Sequence, residues 1–73
     1  MNNTKHRISI SDMHNYRFDQ ELAGSYGKGS CKSLLARTRV VDKDVRFIVK
    51  ENRFVVLDTD SIEVAVEKYN ELP

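Results

Sequence analysis

Three side chains of this sequence could make or break bonds: His6, His14 and Cys31. A thiol beside an imidazole is a nucleophile and base couple. Two histidines eight residues apart and a single cysteine, however, match no nucleophile motif and no metal-ligand spacing. A lone cysteine more often serves as a small buried hydrophobe. A second candidate is Gly24-Ser25-Tyr26-Gly27-Lys28-Gly29-Ser30, where close glycines beside Lys28, Lys32 and Ser33 could cradle an anion with backbone amides. A phosphate loop needs Gly-Lys-Ser/Thr between a strand and a helix, whereas here glycine follows Lys28 and a strand follows the stretch. It reads as a flexible polar loop. The chain is therefore expected not to be an enzyme and to carry no metal or cofactor.

Binding chemistry is better represented. Residues 28–53 hold eight Lys or Arg against three acids, and residues 54–73 hold five acids against Lys68 alone. The formal net charge is only +1, which excludes both a DNA-mimicking polyanion and a general polycation. The charge is instead expected to be two-sided, with Arg37, Arg39, Arg46, Lys50 and Arg53 as the partner-binding residues.

The elements that must position them follow from periodicity. Leu34–Val41, Val45–Lys50 and Arg53–Asp58 are β-branched or aromatic segments between polar breaks, the signature of strands. Glu51-Asn52 can close a two-residue hairpin that pairs Val49 with Phe54 and Phe47 with Val56. An even loop at Lys43-Asp44 then puts Leu34, Ala36, Thr38 and Val40 on that same face, and an odd one would bring Arg37 and Arg39 among the Phe and Val residues. Asp60, with Glu63 three residues on, forms a capping box for a helix whose apolar stripe is Ile62, Ala65, Val66, Tyr69 and Leu72. Phe47, Phe54, Ile62 and Val66 are the expected core. The opposite sheet face mixes the arginines with Leu35, Val41, Ile48, Val55 and Leu57, a composition suited to covering by another molecule.

Upstream, Ile8 and Ile10 alternate, as do Tyr16, Phe18 and Leu22, which predicts a β-hairpin over residues 6–22; a helix from Ser11 or Asp12 to Gly24 is the alternative. The expected fold is α+β: an antiparallel sheet, made of a three-stranded C-terminal meander plus an N-terminal strand or hairpin, with one C-terminal helix packed on one face. A chain of 73 residues makes one small domain, near the lower limit at which a core alone sustains folding. With no signal peptide, no apolar span and one cysteine, it is expected in a reducing cytoplasm, as a monomer or weak homodimer.

Two families share features with these residues. In size and style, with a meander, the Thr59-Asp60-Ser61 cap and a terminal helix bearing Glu and Tyr, the chain resembles small phage-encoded inhibitors of the anti-CRISPR type. That resemblance implies a host protein or ribonucleoprotein complex as partner. The order of three strands then a helix, with Asp58-Thr59, Ala65 and Tyr69, resembles the AP2 and integrase N-terminal DNA-binding domains. It implies instead a basic sheet face laid on nucleic acid, although this chain has no Trp. The mixture of aliphatics with Arg favours the protein-binding inhibitor or adaptor.

Overall fold

The computed structural model describes residues 9–73. A single helical turn, α1 (Ile10–Met13), precedes four strands, β1 (Arg17–Gly27), β2 (Ser30–Arg39), β3 (Asp44–Glu51) and β4 (Phe54–Thr59), and a closing helix, α2 (Ile62–Glu71). The strands form one antiparallel sheet in the order β1-β2-β3-β4. Sheet and helix make a slab of 47 × 28 × 16 Å.

The expected N-terminal strand is present as β1, but its hairpin form and the alternative helix from Ser11 or Asp12 to Gly24 need correction. No hairpin occupies residues 9–22: Ser9 and Asp12 form a capping box around the short α1, and one long strand begins at Arg17. His6 and Ile8, on the first arm of the expected hairpin, lie outside the described residues. Nor is Gly24–Ser30 a loop. Gly24 to Gly27 continue β1, Gly27 pairs with Ser30, and only Lys28-Gly29 turn the chain, with Gly29 at φ 83°. Gly24 is tolerated in a strand because Tyr26 lies back across it. Its hydroxyl donates to a Glu21 carboxylate oxygen, and a Cβ on Gly24 would stand 2.6 Å from the Tyr26 ring. The ring thus replaces the side chain that glycine lacks.

Strand parity agrees with the even-loop reading. Leu34 faces Val49, Ala36 faces Phe47 and Thr38 faces Val45. The loop, however, is the four residues 40–43, because Arg39 pairs with Asp44. The β3–β4 register also differs. Asn52-Arg53 form the turn, so Phe54 faces Glu51, one pair further out than expected. A bulge at Val56 then swings Leu57, not Val56, opposite Val49.

The core moves accordingly. Leu34, Val49 and Ala65 are buried together, with Ala23, Phe47, Leu57, Tyr69 and Leu72 packed around them. Phe54 stays 74% exposed, and Ile62 and Val66 remain 38% and 41% exposed. Phe54 therefore leaves the expected core because its register carries it beyond the cover of α2. The helix itself starts one residue late: Ser61, not Asp60, is the N-cap and accepts the Val64 amide. Its other end is fastened by Lys32, whose ammonium donates to the Tyr69 and Leu72 carbonyls at 3.0 and 3.1 Å. The same ammonium sits 4.4 Å from the centroid of the Tyr69 ring. A cation on the last carbonyls opposes the negative end of the helix dipole.

Candidate partner-binding face

The face turned away from α2 carries the basic residues, and the register decides what each one meets. Asp19, Arg37 and Arg46 align across β1, β2 and β3, and Arg17, Arg39 and Asp44 form the next row. Arg37 binds Asp19 in two-pronged fashion, its Nε at 2.8 Å and its second nitrogen at 2.9 Å. Arg39 grips Asp42 the same way at 3.0 and 2.7 Å, with Asp44 at 3.9 Å. Arg46 donates to the Asp58 carboxylate at 2.9 Å and to the Asp58 carbonyl. Arg37, Arg39 and Arg46 are thus balanced by Asp19, Asp42, Asp44 and Asp58, whereas Arg17 beside them donates to the Asn15 carbonyl. Behind this lattice Ile48 is 1% exposed and forms the floor of a cavity of about 260 Å³. The guanidinium stems wall it, leaving their charged ends in water.

Three of the five expected binding residues, Arg37, Arg39 and Arg46, therefore come together in an ion-paired cluster. Lys50 and Arg53 do not join it. Lys50 pairs across the sheet with Ser33, further along β3, and Arg53 sits at the β3–β4 turn. Among the described residues neither is within ion-pair distance of a carboxylate. Both line a second cavity of about 510 Å³, with Tyr26, Cys31, Lys32, Ser33 and Asn52. Asn52 anchors this end: its backbone amide donates to the Cys31 carbonyl and its side-chain oxygen accepts the Cys31 amide.

Both residues of that turn adopt positive φ, 52° at Asn52 and 75° at Arg53. Asn tolerates this region, but the second position favours Gly, and a residue with a Cβ there costs about 1–2 kcal/mol. The turn therefore holds a guanidinium where glycine would be more stable.

The carboxylates of the lattice carry its pH dependence. The Arg37 hydrogen bond holds Asp19 below the ordinary carboxylate range, and Arg39, with the Asp44 amide, does so for Asp42. Folded-state values below the unfolded ones add stability above the unfolded pKa of about 4, and that stability is lost as pH falls through the lowered values. Melting temperature should therefore be level from neutral pH down to about 5 and decline below about 4. Thermal melts of Asp19→Asn should show a shallower decline; an unchanged acid limb would remove Asp19 from the account.

Set beside known proteins, the chain matches no family model, no curated protein and no solved structure. No helix among the described residues is long and apolar enough to cross a membrane.

Proposed function

We propose that this chain is a small protein-binding module, an inhibitor or adaptor, whose target is a host protein or ribonucleoprotein complex. One observation carries the reading: Arg37, Arg39 and Arg46 of the sheet face are each already paired with an aspartate and interleaved with Leu35 and Ile48. Nucleic acid is attracted by uncompensated positive charge, and each phosphate contact requires a cation free to replace a counterion. Here Arg37, Arg39 and Arg46 each have a carboxylate beside them that a phosphate backbone would also meet. A protein surface of mixed polarity can match such a lattice, since interfaces combine Arg and aliphatic anchors with a polar rim. Exposed Tyr16 just before β1, with Phe18 and Tyr26 within it, adds the aromatic area that protein partners use. The anti-defence role that the resemblance to phage inhibitors implies is the form of this reading in which the target processes nucleic acid.

The test is capture from nuclease-treated bacterial lysate beside a salt titration with duplex DNA and RNA. Wild-type protein should retain one stoichiometric partner and bind naked nucleic acid weakly. Arg37→Gln with Arg46→Gln should release the partner while melting near the wild-type temperature, because exposed ion pairs contribute only about 0–1 kcal/mol each. Tight DNA or RNA binding that weakens steeply with salt, with no nuclease-resistant partner, would replace this reading with the nucleic-acid one.

A further inference from the structure

The sheet face divides into two halves of different character. On one side of Leu35 and Ile48 lies the neutral lattice of Arg and Asp. On the other lies the cavity of about 510 Å³ whose lining holds three cations, Lys32, Lys50 and Arg53, and no carboxylate; the Lys32 ammonium is taken up by the Tyr69 and Leu72 carbonyls, which leaves Lys50 and Arg53 for a ligand. Building on the protein-binding reading, we infer that this cavity is the specificity site of the surface and takes an acidic peptide segment of the partner protein.

Three features carry the inference. First, Lys50 offers a compact ammonium and Arg53 a planar fork, with the Ser33 hydroxyl between Gly24 and Lys50 in the same cross-strand row; together these are donors for carboxylates. Second, Arg53 stands at φ 75°, in the turn position that glycine would fill with less strain. A backbone outlier of this kind is a pointer to function, and the side chain it delivers is the guanidinium at the cavity rim. Third, the size and surroundings select the ligand. A cavity of this volume holds one or two acidic side chains. A nucleic acid long enough to run the 47 Å length of the slab would next meet Asp42, Asp44 and Asp58, whose side chains are about half exposed.

The experiment uses the full chain, an oligoglutamate peptide as probe, and backbone amide NMR shifts as readout. At low ionic strength the peptide should move the amides of Cys31, Ser33, Lys50, Asn52 and Arg53, and leave those of Arg17, Arg37 and Arg46 in place. Lys50→Gln and Arg53→Gly should each weaken binding at least about threefold, and together about tenfold, as expected for exposed charged contacts. Arg53→Gly should at the same time raise the melting temperature by about 2–6 °C, because glycine relieves the left-handed strain. Lys50→Gln leaves the turn untouched and decides the matter should the Gly variant fold poorly. Peptide affinity unchanged in Lys50→Gln, or shifts confined to the arginine lattice, would overturn the site. Tighter binding of a single-stranded oligonucleotide of matched charge at the same amides would overturn the peptide assignment. If both variants still capture the lysate partner as wild type does, the cavity inference fails while the protein-binding reading stands.

Discussion

Leu34→Ala should destabilise the fold by about 2–5 kcal/mol, the range for deleting a buried leucine with partial collapse of the cavity. Leu34 is buried against Val49 and Ala65, where sheet and helix close over one another. For a small domain, whose whole stability is roughly 0.05–0.15 kcal/mol per residue, that loss is a large part of the total. Urea titration should show a large drop in midpoint with a similar slope. Phe54→Ala is the control: the ring is mostly in water, so its removal should cost well under about 1 kcal/mol. A Phe54 variant as damaged as the Leu34 variant would place Phe54 in the core after all and overturn the observed register of β4.

Ile48→Ala should be nearly as costly, about 2–5 kcal/mol, although Ile48 lies on the face with no helix above it. Its burial comes from the sheet below and the arginine stems around it, so the domain has apolar centres on both faces of a single sheet. The loss should appear in the same urea titrations. A change below about 1 kcal/mol would show that the guanidinium stems move aside in solution, leaving Ile48 wet in the folded state.

The division of β2 and β3 into faces was legible from sequence because side chains alternate with a period of two, and only an even β2–β3 loop kept Arg37 and Arg39 away from Phe47. Register was less legible. Shifting a hairpin by two residues preserves which side chains share a face, so Phe54 could slide out of the core without any change in pattern. The Val56 bulge left no periodic trace either, and beyond it the faces exchange: Leu57, expected among the arginines, packs on the α2 side opposite Val49, and Asp58 takes the arginine side. The first half of β1 was legible in the alternation of Tyr16, Phe18 and Leu22, but its extension from Gly24 to Gly27 was hidden by the glycines, which read as breakers; that Tyr26 would shield Gly24 depends on a side-chain orientation that composition does not reveal. The same gap obscured the site. Parity grouped Arg37, Arg39 and Arg46, but their neutralisation depends on Asp19 of β1 and Asp58 of β4, whose pairing partners could not be read in advance. Arg53 was counted with the others by charge alone. The signal that sets it apart was present, an Asn followed by a residue other than Gly at a tight hairpin, and it becomes meaningful once the turn is placed at Asn52-Arg53.

The Lys32 contact with the end of α2 has a kinetic side. Each strand pairs with its neighbour in the chain through a turn of two or four residues, so the sheet can zip from its hairpins with little loop-closure entropy. The bonds from Lys32 to the Tyr69 and Leu72 carbonyls span 37 and 40 residues and close a ring of chain that contains β3, β4 and α2. Strand β1 lies outside that ring, and among the described elements it is joined to it along β2. The molecule is thus a latched unit with a strand laid along its edge, and its free-energy surface has a natural rung at which β1 has peeled away while the latch still holds.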